Sequence, residues 1–122
     1  MIDHVTLSVT DIGRARDFYD RALAPLGIER LYAEGDSFSG YGVRPKAFFW
    51  IGRRDTMLTG AHIAFSTDTR SKVDAFYAAA IAAGARDNGK PGLRPQYKDN
   101  YYGAFVLDPD GHNIEAVCYA PA

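Results

Sequence analysis

Two histidines and one glutamate carry the chemistry that this sequence suggests. His4 and His62 each open a segment in which polar and apolar residues alternate, and Glu115 sits in a third such segment near the end. Alternate residues of a strand share a face. His4, Thr6 and Ser8 therefore lie opposite Val5, Leu7 and Val9, and His62 lies opposite Ile63 and Phe65. Asn113, Glu115 and Val117 lie opposite Ile114, Ala116 and Cys118. Each candidate points away from the apolar face that must be buried. If the three polar faces converge, two imidazoles and one carboxylate meet as a 2-His-1-carboxylate set. That set suits divalent Fe, Mn, Ni or Zn and leaves coordination positions open for substrate or water. The third histidine, His112, is an odd number of residues from Glu115, so it should face away from it, and it reads as a surface residue.

The elements that hold these residues come in two copies. HVTLSVTDIGRARDFYDRALAPLG begins at His4 and HIAFSTDTRSKVDAFYAAAIAAG begins at His62, 58 residues later. Phe18-Tyr19 and Phe76-Tyr77 keep the same offset, and Gly27 and Gly84 close the two copies. A lone strand histidine is ordinarily just solvated; the repeat is what singles out this pair. Behind each first strand comes a helical pattern. Ile12, Ala15, Phe18, Tyr19, Ala22, Leu23 and Leu26 recur at helical spacing after the capping Thr10-Asp11. Val73, Phe76, Tyr77, Ala80 and Ile81 do so over 71–83. Strands are expected at 3–10, 28–34, 37–43, 47–52, 61–67, 101–107 and 112–119, with the Gly/Pro-rich stretch 88–100 as a loop beside a weak strand near 85–90. Asp108-Pro109-Asp110-Gly111 is a turn. The expectation is an α+β fold of one domain, 1–122. Two pseudo-symmetric βαβββ modules, about 1–57 and 58–122, form a curved, cup-shaped sheet with the helices outside.

Composition narrows the function classes. A net charge of −1, from 14 basic and 15 acidic residues, gives no electrostatic reason to bind nucleic acid or an anionic membrane. No apolar run has the length of a membrane span. The single cysteine, Cys118, reads as a small buried hydrophobe and fits a reducing cytoplasm. Eight tyrosines, seven phenylalanines and one tryptophan exceed what a small core needs, so some of them are free to line a pocket.

HVTLSVTDIGRARDFYDRALAPLG and YYGAFVLDPDGHNIEAV together resemble the vicinal oxygen chelate superfamily. It includes glyoxalase I, extradiol dioxygenases, methylmalonyl-CoA epimerase and the fosfomycin and bleomycin resistance proteins. The resemblance covers nearly the whole chain. It implies paired βαβββ modules, a divalent metal in the cup and a homodimer whose site can combine modules of two chains. Carried over by position, His4 and His62 match the first-strand ligands and Glu115 matches the final-strand ligand. The fourth position falls in AFFWIG near Phe49, where this chain has no carboxylate. Glyoxalase I-type chemistry uses a carboxylate there, so the three-ligand set is more like that of an extradiol dioxygenase or a fosfomycin-type thiol transferase. Tyr102, or Tyr41, would supply an acid-base group for the former, and Thr6 matches the latter.

The leading expectation is a metal-dependent lyase, isomerase, dioxygenase or transferase acting on a small oxygen-chelating substrate. His4, His62 and Glu115 would be its metal ligands, with Tyr102 and Thr6 as catalytic candidates. Thr6, Ser8, Phe49, Tyr101 or Tyr102, and Arg94, Tyr97 and Lys98 of the loop would surround the metal and its substrate. The alternative is a non-catalytic, bleomycin-resistance-like protein that sequesters a small molecule. A third reading fills the cup with Phe49, Trp50 and tyrosines and leaves no site.

Overall fold

The computed structural model describes residues 2–54 and 60–122. The expected module boundary at 57/58 lies outside them. Each half has the order β-α-β-β-β. The first comprises β1 (Val5–Val9), α1 (Ile12–Leu23), β2 (Glu29–Glu34), β3 (Phe38–Val43) and β4 (Lys46–Arg53). The second comprises β5 (His62–Ser66), α2 (Arg70–Ala82), β6 (Arg86–Leu93), β7 (Tyr102–Leu107) and β8 (Asn113–Cys118). The two open four-stranded sheets share one topology, β1-β4-β3-β2 and β5-β8-β7-β6. In each the first strand pairs parallel with the last, and the other pairs are antiparallel.

Local chemistry explains the helices. The Asp11 side chain accepts from the Arg14 amide at 3.0 Å, and Thr69 accepts from the Lys72 amide at 3.3 Å. Pro25 cannot continue α1, so the chain tightens into a 3-10 turn over Ala24–Leu26 and leaves through Gly27 at φ +79°. Ile12, Ala15, Phe18, Tyr19, Ala22 and Leu23 of α1 are buried, as are Val73, Phe76 and Ala80 of α2. Tyr77 is only partly buried and Ile81 is 37% exposed, so the inner stripe of α2 is narrower than its sequence pattern. The core runs through both halves: Phe49 of β4 meets Phe65 of β5 edge-on, with ring centroids 5.1 Å apart.

The weak strand expected near 85–90 is β6, which continues to Leu93, so the loop expected over 88–100 is confined to 94–100. The strand lies at the sheet edge and shifts register at Asp87/Gly89 and at Gly89/Gly92. An edge strand accommodates Pro91 and glycine-centred bulges because one of its sides makes no ladder.

The Asp108–Gly111 turn is a fastening, and His112 belongs to it. Asp108 is buried and accepts from the amides of Asp110 and His112 at 2.9 and 2.8 Å and from the Tyr19 hydroxyl at 2.6 Å. His112, only 1% exposed, bonds through Nε2 to the Ser8 carbonyl at 2.9 Å. The Thr10 hydroxyl donates to Asp110 at 2.7 Å. The expected surface position for His112 is therefore corrected. It does point away from the Glu115 face, but that direction leads into the core beneath β1.

Candidate functional site

The register of the two sheets fixes which residues share the polar faces. In the second module Ala64 pairs with Glu115, and in the first Thr6 pairs with Trp50. Ala64 and Thr6 each stand two residues after the module's histidine, so Trp50 occupies the first module's counterpart of the Glu115 position. Phe49 is on the other side: it is fully buried and packs against Tyr19, Tyr41 and Phe65. Trp50 lies within AFFWIG, the segment expected to hold this position, one residue after Phe49.

On the second face, Glu115 is only 1% exposed. One of its oxygens, Oε1, lies 2.9 Å from Nε2 of His62, whose ring is half exposed. The other, Oε2, accepts a short hydrogen bond from the Tyr101 hydroxyl. Gly103 makes this possible, since a Cβ there would stand 3.0 Å from the Tyr101 ring and 3.4 Å from Oε2. Burial, helped by the neighbouring carboxylate, holds the Tyr101 hydroxyl well above its usual pKa and therefore keeps it a donor. Arg94 and Tyr97 line the same cavity of about 360 Å³. The Arg94 guanidinium lies over the Phe105 ring, and Tyr97 packs edge-on against Tyr101. Lys98 sits over Tyr119 instead.

Tyr102 stands outside this group. Its hydroxyl donates to Asp74 of α2 at 2.7 Å, on the helix side of the sheet. Tyr41 also faces its helix, donating to Asp20 at 3.0 Å. Neither is placed for acid-base work at Glu115. Tyr101, one residue before Tyr102, is on the cup side.

His4 lies elsewhere on the surface. Nδ1 is 2.8 Å from Asp3, whose carboxylate also takes Lys46 Nζ at 2.7 Å. The Lys46 contact, with His4 second, holds the Asp3 carboxyl below its usual range. His4 and His62 both line a cleft of about 490 Å³ between the starts of β1 and β5. Thr6 and His4 line a larger cavity, about 710 Å³, over the first sheet. Among the described residues no three His, Cys, Asp or Glu side chains gather into one metal cage. A single chain thus brings His62 and Glu115 together and leaves His4 apart.

The His62–Glu115 pair offers two donor types that divalent metals take, an imidazole nitrogen and a carboxylate oxygen. Two ligands about 2.1 Å from one ion at right angles stand about 3 Å apart. Nε2 and Oε1 are hydrogen-bonded at 2.9 Å, a spacing that an ion replacing the bridging proton would also accept. With Oε2 occupied by Tyr101, the carboxylate would offer a single oxygen.

Known proteins share this architecture. Residues 1–116 match the sequence model of the Glyoxalase/Bleomycin resistance protein/Dioxygenase superfamily. A glyoxalase/bleomycin resistance protein from Albidiferax ferrireducens is 30% identical, with 99% of each chain covered and a TM-score of 0.83. A glyoxalase/bleomycin resistance protein/dioxygenase family enzyme from Burkholderia phytofirmans is 21% identical over 97% of this chain and 98% of its own, with a TM-score of 0.74. A glyoxalase-related enzyme from Fulvimarina pelagi is 16% identical over 97% and 87%, with a TM-score of 0.75. The last two likenesses speak to the fold alone. A search of curated proteins found no match.

Proposed function

Since the chain belongs to the glyoxalase/bleomycin resistance protein/dioxygenase superfamily, we propose that it is a divalent-metal-dependent enzyme for a small oxygen-chelating substrate. The observation that carries this reading is the His62–Glu115 pair at 2.9 Å, half exposed on the imidazole side and buried on the carboxylate side. His62 and Glu115 would hold an Fe, Mn, Ni or Zn ion. His4 would complete the set from a second copy of the chain, as a homodimer allows, because no third ligand stands beside the pair among the described residues.

A divalent ion bound there supplies Lewis-acid polarisation of two substrate oxygens. The protein does the rest. Tyr101 fixes the rotamer of Glu115 and keeps its own proton at neutral pH. The Phe105 ring and the Arg94 guanidinium wall the cavity, and Arg94 offers donors to an anionic substrate oxygen. Tyr97 narrows the approach from the solvent side. The buried, free Cys118 supports a reducing, cytoplasmic setting. Among the described residues no helix is long and apolar enough to cross a membrane.

The test is the metal content of protein purified without chelator, with His62→Ala, Glu115→Ala and His4→Ala alongside. Near-stoichiometric metal lost in His62→Ala and Glu115→Ala supports the reading. Loss in His4→Ala together with a dimer on sizing chromatography supports the shared site. No metal after reconstitution with each of the four ions overturns it and favours the sequestering alternative.

A further inference from the structure

The polar face of the first module carries its own binding chemistry, built on Trp50. Trp50 of β4, Gly40 of β3 and Tyr32 of β2 form one row across the sheet, because Trp50 pairs with Gly40 and Gly40 with Tyr32. A Cβ at Gly40 would stand 2.6–2.8 Å from three atoms of the indole six-membered ring. The glycine therefore lets the indole lie across β3. There it stacks on Tyr32, with centroids 5.8 Å apart and planes 18° apart, and meets Phe38 at 5.8 Å and 56°. Tyr32 and Phe38 are 56% and 41% exposed. Such aromatic exposure on a sheet face is a surface with little to cover it.

Positive charge borders this platform. Two residues beyond Trp50, Gly52 leaves room for the Arg54 guanidinium, which would stand 3.3 Å from a Cβ placed there. Arg53 and Lys46 line the same 710 Å³ cavity. Asp3 offsets Lys46 through their 2.7 Å ion pair. Among the described residues no carboxylate lies within ion-pair distance of Arg53 or Arg54. Arg54 Nη1 donates to the Arg53 carbonyl at 3.2 Å. A flat ring beside two guanidinium groups recognises one chemical class.

We propose that this face binds a planar aromatic carboxylate, its ring stacked on the Trp50 platform and its carboxylate received by Arg53 and Arg54. Indole and guanidinium supply complementary parts: the ring offers a π-face, and the guanidinium forks offer paired donors to the oxyanion. His4 and Thr6 line the same cavity, so the platform adjoins the metal site proposed above; its test is run in the presence of chelator, which separates aromatic-carboxylate binding from metal binding.

Trp50 is the chain's only tryptophan, so its fluorescence reports on the platform directly. The full-length protein is titrated with 2-naphthoate and with the uncharged 2-naphthamide, by calorimetry and by inner-filter-corrected Trp50 emission. Saturable naphthoate binding that changes Trp50 emission is expected, with naphthamide weaker by roughly tenfold. The double variant Arg53→Ala/Arg54→Ala, altered only on the surface, should lose that preference while still binding naphthamide. Trp50→Leu should lose both ligands. If Trp50→Leu fails to fold, the charge comparison in the arginine variant still decides. Absence of naphthoate binding, equal affinity for acid and amide, or an unchanged preference in the arginine variant would each overturn the proposal. Because chelator is present throughout, failure here is distinct from failure of the metal reading.

Discussion

The Tyr19 hydroxyl on α1 donates a 2.6 Å hydrogen bond to Asp108 in the last turn of the second module. Both residues are buried, and they are 89 positions apart. This bond, with His112 on the Ser8 carbonyl and Thr10 on Asp110, ties the end of one repeat to the beginning of the other. Tyr19→Phe leaves the Asp108 carboxylate short of one donor in the interior. It should lower unfolding free energy by about 1–3 kcal/mol, read from urea midpoints. Unchanged stability would show that the fastening is incidental.

Alkaline pH should weaken the same region. Burial first, and Asp108 second, hold the Tyr19 pKa well above its ordinary value, and burial does the same for Tyr41 beside Asp20. The folded chain keeps protons that the unfolded chain releases above about pH 10. Unfolding therefore releases protons, and the stability present below that pH falls as pH rises towards the raised folded values. Urea midpoints at pH 8 and pH 11 should differ in this sense, and Tyr19→Phe should flatten the difference.

Gly103→Ala tests the support behind Glu115. The added methyl would stand 3.0 Å from Tyr101 and 3.4 Å from the carboxylate, displacing the ring that fixes it. If the metal reading holds, metal affinity should fall roughly 10–100-fold, the range for lost supporting contacts. Tyr101→Phe should show a similar loss. Competition with a chelating dye would measure both, and affinity equal to that of the parent protein would remove Tyr101 from the site.

Gly42→Ala should be among the costly substitutions in β3, where Gly42 is buried. A Cβ there would collide with the Lys46 carbonyl oxygen and approach the Ala47 Cα to 2.8 Å, both backbone atoms that cannot swing away. A loss of about 1–3 kcal/mol is expected. Thr69→Ala, which removes the acceptor of the Lys72 amide and an exposed contact with the Ser71 hydroxyl at the start of α2, should cost about 1 kcal/mol. Thermal melts of the two variants side by side would show whether that order holds.

Much of this architecture could be read from residue periodicity. Alternation placed β1, β5 and β8 and put His62 and Glu115 on polar faces, and the helical stripes placed α1 and α2. What escaped was set by neighbours across the chain. Strand β6 was obscured because Gly89, Pro91 and Gly92 look like loop residues, and only its edge position admits them. Trp50 emerges as the counterpart of Glu115 from its pairing with Thr6, a register that no single segment contains. Tyr101 and Tyr102 differ by one residue in sequence and by a whole face in space. His112 was assigned its direction correctly, but whether that direction meets water or core depends on β1.

The parallel pairing of first and last strands also sets the order in which the protein can be built. Within the first module, β4 supplies β1's partner once residue 53 has been synthesised, while the second module is still to come. In the second, β8 lies between β5 and β7 and is the last of the module's strands to be made. During translation β5 must therefore wait, unpaired, until the residues of β8 have left the ribosome. The half that holds Glu115 is closed last, against a first half already able to receive it.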